Sequence, residues 1–146
     1  MSTRTTIFAP EFVDSVPGAE AMSPGTLYVS MKYALASHKC ACGCGLEVVT
    51  PLSRTDWSLY FDGESISLHP SIGNWSFPCQ SHYWIRRNAV EWAPKWSRAR
   101  IEAQRQADLA RRHRGFGEEQ QLDQTEHRRR GIWAVLHRWF RNPYGH

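Results

Sequence analysis

Two short clusters hold every cysteine of the chain. The first, H-K-C-A-C-G-C-G, presents His38, Cys40, Cys42 and Cys44, and the second, P-C-Q-S-H-Y-W-I, presents Cys79, Ser81 and His82. Thiolates and imidazole nitrogens are the ligands that zinc takes in a tetrahedral shell. Six side chains here offer such atoms (His38, Cys40, Cys42, Cys44, Cys79 and His82) and a single Zn2+ needs only some of them. Gly43 and Gly45 let the backbone curl so that amide N–H groups point at sulfur and ease its negative charge. The C-x-C-x-C spacing departs from the common C-x2-C knuckle, so it leaves the ligand choice open. If Cys79–Ile85 runs as a regular strand, Cys79 and Ser81 share a face and His82 points to the other. The set is then Cys40, Cys42, Cys44 and Cys79. If the chain turns at Cys79, C-x2-H spacing brings His82 in as an alternative ligand. An iron–sulfur cluster with mixed Cys/His ligation is the alternative metal group. The plainer alternative to any metal is four buried free thiols.

The same clusters contain the ingredients of nucleophilic catalysis. A serine becomes nucleophilic when a base takes its proton and nearby donors stabilise the oxyanion. The candidates are Ser81 with His82 or His38, and Ser71 in P-S-I-G-N. Strand neighbours face apart, so Ser81 and His82 do not pair readily, whereas His38 can act as the base from across a sheet. Ser71 sits in an expected loop where Gly73 leaves amide groups free. The plainer role for these serines is hydrogen bonding that steadies the metal ligands.

The elements that must position these groups read mainly as β. Thr26–Tyr33 alternates Leu27, Val29, Met31 and Tyr33 against mostly polar partners, the pattern of a half-buried strand. Leu46–Thr50, Trp57–Phe61, Ser65–Leu68, Gln80–Arg86 and Ala89–Trp92 are further short strands. Asp62-Gly63 and Arg87-Asn88 mark turns, and Pro70–Pro78 is an expected loop. Six strands at this spacing predict a small antiparallel sheet or barrel with a Cys-rich metal site. Residues 1–25 read as an irregular arm from which Ile7, Phe8, Phe12 and Val13 can pack. From Pro94 onward the period changes. Lys95–Arg114 is a helix polar nearly all round. Gly115-Phe116-Gly117 breaks it, and Thr125 is an N-cap for a last helix with Ile132, Val135, Leu136, Trp139 and Phe140 on one face. The expected domains are therefore an arm at 1–25, a β domain at 26–93 and a basic helical extension at 94–146.

Composition bounds the function classes. The 146 residues carry 41% hydrophobic side chains, with seven Trp, five Tyr and six Phe, enough for one modest core rich in aromatic area. The net charge of +4 is uneven: residues 1–93 hold six Lys+Arg and eight Asp+Glu, and residues 94–146 hold twelve and six. The basic character therefore belongs to the extension, whose arginines could neutralise phosphates in a nucleic acid or cover a solvated helix face. No apolar run approaches the ~20 residues needed to span a bilayer. The N-terminal segment lacks a signal-peptide apolar region. The expected location is the cytoplasm, where cysteines serve metals or redox chemistry rather than disulfides.

The blocks L-Y-V-S-M-K-Y, H-K-C-A-C-G-C-G, V-V-T-P-L, D-W-S-L, S-L-H-P-S-I-G-N-W-S-F-P-C-Q-S-H-Y-W-I and V-E-W-A resemble a bacterial family found in ubiquitin-like conjugation (Bub-type) antiphage operons. The likeness covers about Leu27–Ala93 and leaves out the helical extension. It implies a metal-binding protein working beside E1-like and E2-like enzymes and a ubiquitin-like protein, and a peptidase that processes or removes that protein. The zinc-protease motif H-E-x-x-H and a JAB-type H-x-H…D arrangement are absent. The expected chemistry is therefore of the serine type: Ser81 attacks the carbonyl after the C-terminal residue of the ubiquitin-like protein and a histidine, His38 or His82, takes its proton, with Ser71 as the second candidate nucleophile. A non-catalytic zinc-binding module that recruits E1-like or E2-like partners is the alternative expectation, and nucleic-acid binding through the Arg-rich extension is a third.

Overall fold

The computed structural model describes residues 3–115 and Thr125. Eight strands form two four-stranded sheets. The first sheet orders β1 (Ala9–Phe12), β2 (Thr26–Ser30), β3 (Leu35–Lys39) and β4 (Glu47–Pro51). The second orders β5 (Ser58–Phe61), β6 (Ile66–Gly73), β7 (His82–Arg86) and β8 (Ala89–Trp92). A helix, α1, follows at 98–115. The fold is mainly β with a helix after it. The chain divides into two compact units, Met1–Gln104 and Arg105–His146, and everything described below lies in the first. The last helix expected from the apolar stripe Ile132–Phe140 lies outside the described residues, as does the Gly117 break.

Alternation explains most of the strands. Leu27, Val29, Ala36 and Val48 of the first sheet join Ile66, Leu68, Ile72, Tyr83 and Ile85 of the second in one buried core. Each buried Leu, Ile or Val contributes about 1.5–3 kcal/mol relative to exposure. The turns follow their residue types. Arg87 and Asn88 both take positive φ between β7 and β8, and the Asn88 side-chain carbonyl accepts the Ile66 N–H at 2.8 Å. At Asp62 the carboxylate accepts from the Glu64 and Ser65 N–H groups.

Four features depart from the sequence pattern. The strand expected at Thr26–Tyr33 ends at Ser30, and the turn at residues 31–34 leaves Met31 and Tyr33 exposed. Residues 9–12 form a strand rather than part of an irregular arm, because β1 pairs in parallel with β2 and Phe8, just before it, is fully buried. The segment A-S-H-K has little β propensity, yet Leu35–Lys39 is a central strand. It is paired on both sides, Ala36 with Val29 and with Thr50, and those ladders outweigh local preference. Finally, β6 runs on through Pro70 to Gly73, where a loop is expected. The ladder with β7 shifts register between Leu68 and Ile72, and an irregularity of this kind is where a strand tolerates proline, which has no N–H to donate.

Candidate active site and thiolate cluster

The end of β3 and the turn after it deliver Cys40, Cys42 and Cys44. Gly43 and Gly45 both take positive φ, at 86° and 80°, which folds the turn back so that the Cys44 N–H reaches Cys42 Sγ at 3.3 Å. The short segment before β7 brings Cys79 to the same place. The four Sγ atoms lie within 4.8 Å of one another. Cys40 Sγ is 3.4 Å from Cys42 Sγ and 3.9 Å from Cys79 Sγ, and Cys44 Sγ is 3.8 Å from Cys79 Sγ. An ion bonded tetrahedrally to four sulfurs at about 2.3 Å would set them about 3.8 Å apart. The cluster could therefore hold a metal ion, with no imidazole needed to complete four ligands. Burial pushes the Cys40 and Cys42 thiols up. At Cys79 burial acts in the same direction, but hydrogen bonds with the Ser81 hydroxyl and N–H and with the Cys42 and Cys44 thiols together outweigh it and bring the thiol down to about 7.

Ser81 belongs to this cluster. Its Oγ is 3.1 Å from Cys40 Sγ and 3.5 Å from Cys79 Sγ, and it accepts a hydrogen bond from Asn74 Nδ2 at 2.9 Å. Cys79 and Ser81 do converge, although Gln80 between them takes a positive φ of 44°, so the segment is a turn and not the regular strand that alternation assumes. Neither histidine comes to Ser81.

His38 is fully buried inside β3. Its Nε2 is 2.8 Å from the Tyr83 hydroxyl, and its ring meets Phe8 edge-on at 4.7 Å. The same hydroxyl accepts from the Ala41 N–H at 3.4 Å and Asn74 Nδ2 at 3.5 Å, so its own proton is free for His38. Burial lowers the His38 pKa to about 3. The imidazole should therefore still be neutral at pH 5, where an ordinary histidine with a pKa near 6.5 is cationic. A ring-nitrogen NMR titration checks this, and a cationic His38 at pH 5 would contradict the buried arrangement.

His82 points to the other face of β7, away from the sulfurs. There its Nε2 lies 2.9 Å from Ser71 Oγ. The extension of β6 past Pro70 is what carries Ser71 to this point, with Gly73 paired opposite His82. Three indoles surround the imidazole: Trp75 edge-on at 4.9 Å, Trp96 edge-on at 4.4 Å and Trp84 tilted at 5.6 Å. Trp75 and Trp96 stack at 5.3 Å, and the Arg100 guanidinium covers Trp96 at 4.2 Å. A Cβ at Gly73 would run into the Trp75 indole, so glycine is what leaves room for Trp75 beside the histidine. His82 Nδ1 is buried without a hydrogen-bond partner among the described residues. Burial, and then the Arg100 charge, lowers the His82 pKa below its ordinary 6.5. Ser71 itself is half-buried and reachable.

The sequence had named Ser71, Ser81, His38 and His82. It had not singled out Asn74, Tyr83 or Trp96. Asn74 and Tyr83 link the thiolate cluster to His38 by hydrogen bonds that no motif announces. Trp96 left one signal, a lone indole at the start of an otherwise polar helical stretch.

A two-sheet β protein with four convergent cysteines and a serine–histidine pair on the opposite face of one strand is the class that fold and site define. The family model described as "Bacterial ubiquitination-like system serine protease (BubE)" matches residues 12–93, more than half of the chain, and the chain belongs to that family. No curated protein and no solved structure gives a match. Among the described residues no helix is long and apolar enough to cross a membrane.

Proposed function

We propose that the chain is a serine peptidase of a Bub-type ubiquitin-like system, cleaving the bond that follows the C-terminal residue of the ubiquitin-like protein. Ser71 is the nucleophile and His82 the base. The observation that carries this reading is the 2.9 Å contact between Ser71 Oγ and His82 Nε2, within the reach that proton transfer requires. In the first step Ser71 Oγ attacks the scissile carbonyl while His82 Nε2 takes its proton. The imidazolium then returns a proton to the leaving amine. Water, deprotonated by the same nitrogen, then attacks the acyl carbon, and the imidazolium returns that proton to Ser71 Oγ as the acyl–oxygen bond breaks. Burial keeps His82 neutral at pH 7 and so able to accept.

The four cysteines are proposed to hold one Zn2+. Four thiolates complete a tetrahedral shell and leave no open position, which is the pattern of a structural site rather than one that activates water. Its chemical contribution is to fix the turn at Cys40–Cys44 against the segment at Cys79. Ser81 and Asn74 hydrogen-bond the sulfurs and brace that set, the supporting role that outer residues play around metal ligands. His38, locked to Tyr83, supports β3 against β7.

The test is cleavage of the system's ubiquitin-like protein carrying a C-terminal extension, followed by mass spectrometry. Loss of the wild-type activity would leave the non-catalytic zinc module as the better reading. The pH profile adds a second check. Because His82 is lowered by burial, the acid limb of kcat/KM should fall below pH 6.5. Trp96→Ala opens the imidazole to water and relieves that burial. The acid limb should then move up toward 6.5, with kcat/KM reduced by about tenfold as the ring loses its packing. An unmoved limb would mean that another group sets it.

A further inference from the structure

The strand that carries Ser71 is open along one side at that residue. β5 covers β6 only from Ile66 to His69, its last pair being Ser58 with His69. β6 continues to Gly73 beside β7 alone. Ladder alternation decides where the backbone groups of this uncovered part point. In an antiparallel pair, residues that exchange N–H···O=C bonds alternate with residues whose polar groups face the opposite side. The Asn74 N–H donates to the Ser81 carbonyl at 2.8 Å, while the His82 carbonyl accepts from the Ala93 N–H at 2.9 Å, on the β8 side. Ile72 and Tyr83 are therefore the bonded pair, and Gly73 directs its N–H and C=O away from β7. The Ile72 N–H faces Tyr83, so the Ser71 carbonyl, trans to it across the same planar peptide, also faces away from β7. Among the described residues, no hydrogen bond engages these backbone groups on the side that β5 has left.

The Ser71 carbonyl and the Gly73 N–H and C=O thus lie on a free edge, the two carbonyls about 7 Å apart along the strand, which is the repeat an added strand needs. The nucleophile candidate is one of these two residues. Gly73 has no side chain to obstruct the approach, and the Trp75 indole occupies the space that one would fill. We propose that the Ser71–Gly73 edge binds an extended peptide, which adds to β6 as a strand in line with β5 and so lays its scissile bond beside Ser71 Oγ. The inference rests on the reading of Ser71 as the nucleophile and adds the conformation and recognition chemistry of the substrate. Affinity then comes from main-chain hydrogen bonds, as in other strand-addition sites. The ligand is an unstructured polypeptide tail, not a folded surface. An extended tail also places consecutive carbonyls along the edge, so one of them can be reached by a side chain fixed on the strand.

The test uses the full chain with Ser71→Ala, or His82→Gln if the first variant fails to fold, and the ubiquitin-like protein with a C-terminal extension as the probe. Residue-resolved amide exchange is measured with and without the probe. The expected result is fast exchange at the Gly73 amide in the free protein, slowed about tenfold or more on binding. Ile72, already bonded to Tyr83, should change little. Binding without protection at Gly73 overturns the strand-addition site while leaving the peptidase reading intact. So does cleavage by the wild type with no measurable binding to either variant. If the wild type does not cleave, the reading on which the inference rests falls, and the inference falls with it.

Discussion

Replacing Ser71 by alanine is expected to reduce cleavage of an extended ubiquitin-like protein by about 10⁴-fold or more, the scale on which serine enzymes lose activity without their nucleophile. His82→Gln should be comparably severe, because the two groups act as a unit, and the double variant should be little worse than either alone. The fold should survive both changes. Ser71 is half-buried and makes one side-chain hydrogen bond, to His82. Ser81→Ala gives the decisive contrast. Its hydroxyl faces Cys40 and Cys79, so its loss should weaken the sulfur cluster and leave the chemistry largely in place. Activity that survives Ser71→Ala and vanishes with Ser81→Ala, in protein that retains its metal, would reverse the assignment. Circular dichroism and metal content of each variant keep a folding defect from passing as a catalytic one.

The second large effect concerns the metal. Purified protein is expected to carry about one zinc per chain. Removing it with a chelator, or replacing Cys40 by serine, should abolish cooperative folding of the first unit. Structural zinc in small domains contributes about 10–16 kcal/mol of apparent binding free energy, against a total stability of about 5–15 kcal/mol for a typical domain. Cys40 is 1% exposed and contacts Cys42, Cys79 and Ser81, so the cluster sits at the edge of the core. Without an ion, residues 40–44 are held to residues 79–81 by thiol and hydroxyl contacts such as Cys40 Sγ with Ser81 Oγ at 3.1 Å and by the Asn74 amide, which bonds both. Activity should disappear together with the fold, because the segment that supplies Cys79 leads within three residues to His82. Elemental analysis and thermal melts with and without chelator measure this. A metal-free protein that melts cooperatively at an unchanged temperature would show that the thiols need no ion.

Much of this was legible from residue types and spacing. Alternation located the strands that carry the core, since Leu27, Val29, Ile66, Leu68 and Ile85 repeat with the two-residue period of a pleated sheet. The cysteine clusters and their glycines announced a thiolate site, because such a turn needs the positive φ that Gly43 and Gly45 supply. The missed elements share a cause. β1 and β3 are strands by pairing, not by propensity. Leu35–Lys39 has neighbours on both sides, which one-dimensional patterns cannot show. β6 passes through a proline that sequence rules read as a stop.

By itself, then, the sequence determined that the chain folds as a mainly β protein and that Cys40, Cys42, Cys44 and Cys79 are a candidate ligand set. It narrowed any catalytic chemistry to two serines and two histidines. Only the tertiary structure decided which of these meet. Ser81 ends the turn that precedes β7 and His82 is the first residue of that strand, so the two part company: one goes to the sulfurs, the other to Ser71. His38, equally promising on paper, is withdrawn into the core beside Tyr83. The pairing of Ser71 with His82 depends on how far β6 extends and on its register against β7. Those are properties of contacts between segments, and no local pattern of residues specifies them.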